Sequence, residues 1–273
     1  MKIGIIGLPR VGKSTLFTIL TGTHQETRLG TLEARAGVAH VPDSRVDALA
    51  KLFRPAKVTY ATIEFLDVPA ISREALRKPS YLGSLRLVDA FAHVLRVFQD
   101  EAIPHEKGVV DPVRDMDDVE GELILSDLVV VENRLERLER DRKKIKSKDL
   151  DEEHDILTRC HEALEQAIPL RALEFPPEQS KRIRGFGFLS QKPVLYVLNL
   201  AEQDAPRLHE IESQFREQHL QGRSKTAVVA VCGKLEAELA EFGPEEVEEY
   251  IAGYGLPDSG LTRLVKAAYS LLG

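Results

Sequence analysis

Apolar residues in this chain gather into short, nearly unbroken runs, and between the runs they recur every three or four positions. Residues 2–6 (K-I-G-I-I) form the first run. A second, Tyr60-Ala-Thr-Ile-Glu-Phe-Leu-Asp67, alternates, turns apolar and ends in an aspartate. Further runs follow at 90–98 (AFAHVLRVF), 193–199 (PVLYVLN) and 226–232 (TAVVAVC). Runs this short and this uniformly apolar suit strands of a parallel sheet covered on both faces. Helical stretches between several of them suit crossover connections. The expected fold class is therefore α/β, a mostly parallel sheet with helices on both faces.

A different period rules the middle of the chain. Ile124, Leu128, Val131, Leu135, Leu138 and Ile145 follow four–three spacing, interrupted at Arg142, and Leu157, Cys160, Leu164 and Ala167 continue it. Two such stripes joined by a charged turn predict an antiparallel helical hairpin.

The first run opens a motif. Gly7-Leu8-Pro9-Arg10-Val11-Gly12-Lys13-Ser14 satisfies G-x-x-x-x-G-K-[ST], and Thr15-Leu16-Phe17-Thr18-Ile19-Leu20 follows at helical spacing. Strand, glycine loop and helix come in the order that makes the motif a phosphate cradle. Glycines let consecutive backbone N–H groups converge on phosphate oxygens, and the helix adds the positive end of its dipole. Pro9, Arg10, Val11, Gly12, Lys13, Ser14 and Thr15 are thus the expected phosphate-binding residues, with Lys13 reaching the terminal phosphates and the Ser14 hydroxyl binding Mg²⁺. Asp67, at the end of its strand, is placed as the carboxylate serving the metal's outer shell.

Composition narrows the setting. At 273 residues the chain is long enough for one large domain or a domain with an insertion, and its 43% hydrophobic share supports a substantial core. No apolar run approaches the roughly 20 residues that span a bilayer. Two cysteines, Cys160 and Cys232, make no disulfide framework, which points to a reducing, cytoplasmic setting. A net charge of −7 argues against a surface that coats nucleic acid, while leaving room for a local basic patch.

The order of the later runs separates the P-loop classes. A nucleoside monophosphate kinase needs lid and acceptor-site arginines between its strands, and none are evident. A GTPase-type G-domain needs a base reader after the fifth strand and a backbone loop after the sixth. Asn199-Leu200-Ala201-Glu202 and Cys232-Gly233-Lys234 occupy those places. The expected organisation is a discontinuous G-domain over 1–115 and 190–273, interrupted by a helical, coiled-coil insertion over 116–189. A carboxylate in the guanine reader accepts from N1–H and the N2 amine, whereas adenine offers a lone pair at N1. Glu202 is one methylene longer than the aspartate that does this work, and Leu200 stands where a lysine does. Asn199 serves either purine, because its amide both donates and accepts. Leu200 supplies an apolar lid, and Gly233 offers a backbone N–H to the base edge. Adenine is the expected base, with guanine tolerated. Cys232 beside it reads as a small buried residue or a redox switch.

Together GLPRVGKSTLF, VPDSRVDALAKLF, VVDPVRDMDDVEGELILSDLVVVENRLERLE, the NLAE run, VCGKLEAELAEF and GLPDSGLTRLVKAAYSLLG resemble the YchF-type Obg-like ATPases, a branch of the translation-factor GTPases. The resemblance covers nearly the whole chain. It implies a Ras-like G-domain with a helical hairpin insertion, binding and hydrolysis of ATP, often in preference to GTP, and ribosome association. It also implies a small C-terminal TGS domain, and the matching pattern runs out at Gly273, where that domain would begin. Thr31, in R-L-G-T-L-E, aligns with the switch threonine whose hydroxyl binds Mg²⁺ in the triphosphate state. Two departures bear on hydrolysis. Asp67-Val68-Pro69-Ala70-Ile71 lacks the glycine of Asp-x-x-Gly-Leu, and the loop behind it is shorter. Arg10 stands where the family carries asparagine. Its guanidinium either offsets charge at the β–γ bridge, as an arginine finger does, or is an exposed loop arginine. The candidate catalytic set is Lys13, Arg10 and Thr31, and the candidate metal set Ser14, Thr31 and Asp67. The expectation is a slow Mg²⁺-dependent switch ATPase; the alternative is a nucleotide-binding adaptor that has lost hydrolysis.

At the hairpin tip, Arg140, Arg142, Lys143, Lys144, Lys146 and Lys148 precede Asp149, Asp151, Glu152 and Glu153. That cluster reads either as a contact for the ribosome or RNA or as a solvated, salt-bridged turn. Glu236, Glu238, Glu241, Glu245, Glu246, Glu248 and Glu249 read as one solvated helical face.

Overall fold

The computed structural model describes residues 1–23, 34–242, 246–247, 251, 253 and 258–273. Strand β1 (Lys2–Ile6) runs through the glycine loop into α1 (Lys13–Thr21), and β2 (Arg35–His40) leads to α2 (Ser44–Phe53). After β3 (Thr62–Asp67) come α3 (Arg73–Leu76), α4 (Pro79–Arg86) and β4 (Ala90–Arg96). Helices α5 (Pro112–Arg142), α6 (Lys148–Glu165) and α7 (Pro177–Ile183) precede β5 (Val194–Asn199). The chain continues through α8 (Leu208–His219), β6 (Thr226–Val231), α9 (Gly233–Leu239) and α10 (Gly260–Leu272).

The six strands lie in the order β2-β3-β1-β4-β5-β6. All neighbours are parallel except β2, which pairs antiparallel to β3 as an edge. That edge is absent from the sequence reading. Its residues R-A-G-V-A-H are small or polar apart from Val38, and only Ala39 is buried, so no apolar run announces them. The strand order reverses about β1: the chain steps to β3 on one side and to β4, β5 and β6 on the other. In open α/β sheets ligands bind at the carboxyl ends of the strands where the order reverses, and the glycine loop leaves β1 there. Register levels the other strand ends with it: Ile5 lies opposite Asp67, Arg96 opposite Asn199, and Asn199 opposite Val231.

Two main cores form. The sheet and its flanking helices enclose Ile3, Ile5, Phe17, Phe65, Phe91 and Leu198 among many others. The hairpin closes on Ile124, Val131, Leu138, Leu157, Cys160 and Leu164, which Leu170, Ile183 and Phe188 join from later segments. Helix α5 starts cleanly because Asp111 accepts from the Val113 and Arg114 N–H groups and Pro112 fills its first turn. Its first buried apolar residues, Met116, Val119 and Leu123, belong to the main core, while the rest of its stripe faces α6. A two-pronged bond from Arg134 to Glu153, 2.7 and 2.8 Å, ties the two helices together. Asp127 anchors the hairpin's return: its carboxylate accepts from the N–H groups of Leu189 and Ser190 at 2.9 and 2.7 Å. Burial pushes its pKa up to about 6 against those bonds.

Two ends of the predicted stripe fall outside the helices. Ile145 follows α5 in the turn and is 63% exposed. Ala167, with φ 56°, ends the hairpin in the left-handed region rather than extending α6. Periodicity carried the stripe past both ends because it cannot register a helix stop. Glu236 departs further from its expected solvated face. It is buried, and its carboxylate accepts from the N–H groups of Gly260 (2.6 Å) and Leu261 (3.3 Å), so it caps α10 from a distance. Glu245, Glu248 and Glu249 lie outside the described residues.

Candidate functional site

The glycine loop bends through three left-handed positions, Gly7 (φ 145°), Arg10 (φ 60°) and Gly12 (φ 99°). A methyl group on Gly7 would lie 2.6 Å from the Val94 carbonyl oxygen, and one on Gly12 would lie 2.4 Å from Asn199 Nδ2. Both places demand glycine on grounds of space as well as conformation. Gly12 precedes α1 without a side-chain cap, so the N-terminal amides of that helix face the cradle.

Lys13 is buried, and its ammonium donates to the Leu8 carbonyl oxygen at 2.6 Å, closing the loop across itself. Burial lowers its pKa to about 8, while the charges of Asp67 and Glu106 pull it back up. Beneath the loop, His93 on β4 is fully buried. Burial and the nearby Lys13 and Arg171 charges push its pKa down to about 3, so the imidazole stays neutral.

Ser14 and Asp67 meet at the mouth of the cradle, the hydroxyl donating to Asp67 Oδ2 at 3.0 Å. A hydroxyl and a carboxylate in contact beside a phosphate cradle are the hard oxygen donors that Mg²⁺ takes, so the pair fits that ion. Asp67 also bonds Arg35 on the edge strand. Thr31, the third expected metal ligand, lies outside the described residues.

Behind Asp67 the chain is pinned. Tyr81 donates its hydroxyl to Pro69 O at 2.8 Å, and the Ile71 N–H reaches Gly7 O at 3.4 Å. The Ile71 side chain is packed into the core at 4% exposure.

Beside the cradle opens a cleft of about 1010 Å³. Asn199 forms its floor and links two loops: Nδ2 donates to Val11 O at 3.0 Å, and Oδ1 accepts from the Gly233 N–H at 3.0 Å. The Gly233 amide assigned to the base edge is therefore bonded within the protein here. Leu200 lines the cleft from a buried position. Glu202, on the rim, forms an ion pair with Lys234 at 2.9 Å. Cys232 is 1% exposed, and burial raises its thiol pKa, which leaves a small buried residue rather than a reactive thiolate.

The opposite wall, Phe98 to Ile103, went unseen in the sequence. It is held by Arg96, which is 1% exposed, lies with its guanidinium 4.4 Å from the Phe98 ring centroid, and donates to the carbonyl oxygens of Phe98 (3.1 Å) and Ile103 (2.7 Å). One signal was available: a charged residue near the end of an otherwise apolar strand. Arg10 is exposed and reaches the same wall, with Nη1 3.5 Å from Pro104 O. Beyond it, buried His105 bonds Asp115 of α5 at 2.8 Å.

At the hairpin tip acids answer much of the basic cluster. Arg142 pairs with Asp151 at 2.7 Å and Lys148 with Glu152 at 3.5 Å, while Arg182 from α7 binds both Asp149 and Glu152 at 2.8 Å. Lys143, Lys144 and Lys146 remain exposed. No helix among the described residues is long and apolar enough to cross a membrane, and no group of three or more ligand-type side chains among them could hold a metal ion unaided.

A family model described as 50S ribosome-binding GTPase matches residues 2–134. The ribosome-binding ATPase YchF of Bacillus subtilis (strain 168) is 38% identical over 282 residues, spanning 100% of this chain and 76% of that protein. Its counterpart from Escherichia coli O157:H7 is 36% identical over 278 residues, with 99% and 76% covered. Among solved structures, the Schizosaccharomyces pombe YchF GTPase superposes with a TM-score of 0.81 at 28% identity, covering 100% of this chain and 75% of that one.

Proposed function

The chain belongs to the YchF family of P-loop nucleotide-binding proteins, and from that premise we propose that it binds ATP with Mg²⁺, tolerates GTP, and hydrolyses the triphosphate slowly as a cytoplasmic switch associated with the ribosome. The ribosome enters because the bacterial relatives are named as ribosome-binding ATPases. The division into a G-domain (1–115, 190–273) and a hairpin insertion (116–189) is part of the same reading. A second core confined to residues 124–188 supports it.

One observation carries the choice of base. Glu202, which could accept from the guanine N1–H and N2 amine, is held by Lys234, while Asn199, Leu200 and Phe98 offer a polar floor and apolar walls that suit adenine. The phosphates would lie in the cradle of Pro9, Arg10, Val11, Gly12, Lys13, Ser14 and Thr15, Lys13 exchanging the Leu8 carbonyl for a phosphate oxygen. Ser14 and Asp67, with Thr31, would hold Mg²⁺, which neutralises charge on the terminal phosphates when bound. Gly233 shapes the base edge by bracing Asn199, with Cys232 buried beside it. Lys13 and Arg10 are the groups able to meet charge that builds at the leaving oxygen.

The rival reading, binding without turnover, is favoured by Ala70 in place of the loop glycine and by the shorter loop behind it. Phosphate release from ATP with Mg²⁺, set against a Lys13→Ala control, separates the two. Calorimetry with ADP and GDP tests the base: tighter binding of GDP would overturn the adenine choice. For the exposed Lys143, Lys144 and Lys146, cosedimentation with ribosomes after their joint replacement by glutamate tests whether the tip makes the contact.

A further inference from the structure

Asp67 sits opposite Arg35 in the antiparallel register of β2 and β3, so the two side chains share a face of the sheet. Arg35 is 14% exposed and Asp67 6%. Its guanidinium bonds Asp67 Oδ2, the same oxygen that accepts the Ser14 hydroxyl, and its Cζ lies 5.1 Å from the centre of the Phe17 ring on α1. Strand register, a stacked aromatic and a charge-assisted hydrogen bond therefore fix one cation against the metal-serving carboxylate.

We infer that Arg35 sets the metal dependence of nucleotide binding: it is a built-in counter-charge that competes with Mg²⁺ for Asp67. The inference rests on the nucleotide reading above. Its logic is a comparison of two states. For Asp67 to orient water on Mg²⁺ and for Ser14 to turn its oxygen to the ion, the Arg35 bond has to loosen, which weakens metal-assisted binding. Without divalent ion, the same guanidinium stays beside the cradle and lowers the repulsion between Asp67 and the polyphosphate, which strengthens metal-free binding. Both effects narrow the gap between the two affinities.

The test is calorimetric titration of ADP into the full chain and into Arg35→Gln, each in excess Mg²⁺ and in EDTA. The ratio of the EDTA to the Mg²⁺ dissociation constant should be about tenfold larger for Arg35→Gln than for the unaltered chain, the scale of one charge-assisted bond. An arginine with a merely structural role would shift both constants together and leave the ratio in place; equal ratios within about twofold, the spread of one weak surface pair, overturn the inference while the nucleotide reading stands. If the unaltered chain takes up no ADP in either buffer, that reading fails and takes the inference with it. Should Arg35→Gln lose its cooperative unfolding transition, Arg35→Lys carries the comparison, since an ammonium keeps the charge without the planar fork. The ratio should then rise by about threefold, half of the logarithmic effect of losing the bond altogether, and no rise overturns the inference.

Discussion

Raising the pH should weaken nucleotide binding through one residue, Lys13. In the protein alone its ammonium is buried against the Leu8 carbonyl and its pKa is brought down to about 8. The distance from the ordinary 10.5 amounts to about 3 kcal/mol of discrimination against the charged form. A polyphosphate beside the same nitrogen restores the preference for charge. The protein alone thus loses its proton across pH 8, whereas the complex keeps it. By linkage, affinity for ADP should be level up to about pH 7.5 and then fall by nearly tenfold per pH unit between about 8.5 and 10. The same lowered pKa has the opposite sign for folding. Between about 8 and 10.5 the unfolded chain holds a proton on Lys13 that the folded chain has released, so this residue's contribution to stability rises with pH there. Calorimetry at about pH 9 in two buffers of different ionisation enthalpy should show uptake of close to one proton per ADP bound, and almost none at about pH 7. Lys13→Ala should bind weakly with no such uptake. A flat affinity from pH 7 to 9.5 in the unaltered chain, with normal binding, would refute the account of Lys13.

Replacing Glu236 by alanine strands the buried Gly260 and Leu261 N–H groups at the start of α10, with an expected loss of about 2 kcal/mol. For a chain of this size that lowers the melting temperature by roughly 4–8 °C; a calorimetric shift below about 2 °C would count against the cap. Lys234→Ala frees Glu202 to accept from guanine, so the preference for ADP over GDP should shrink by up to about fivefold, the ceiling for an exposed pair, as read by competitive titration. An unchanged preference removes Lys234 from base selection. Gly12→Ala, in a left-handed turn 2.4 Å from Asn199 Nδ2, should abolish the thermal stabilisation by ADP; retained stabilisation would show that the loop tolerates a side chain there.

The strands that position the site were legible because they are buried on both faces, and their apolar runs end within two residues of the observed strands. The cradle was legible because its chemistry is local, one loop of consecutive residues. What escaped depends on partners far along the chain. Nothing near Arg35 hints at Asp67, 32 positions away, and β2 carries no hydrophobic signal of its own. Glu236 was placed on a solvated face since six further glutamates surround it, yet its partners are Gly260 and Leu261, 24 and 25 residues on. Leu200 and Asn199 were readable as a pair at a strand end. That Asn199 also braces Val11, 188 positions earlier, was not.

Helix α5 has 31 residues, a rod of about 46 Å. Its root is gripped by the sheet core and, through His105 and Asp115, by the segment leading out of the cleft wall. Such a rod multiplies angles into distances: tilting it by about 5° at that fulcrum would sweep its far end through about 4 Å, by the same geometry of length. A small rotation at that root is therefore enlarged into a displacement of several ångströms beside Lys143 and Lys144.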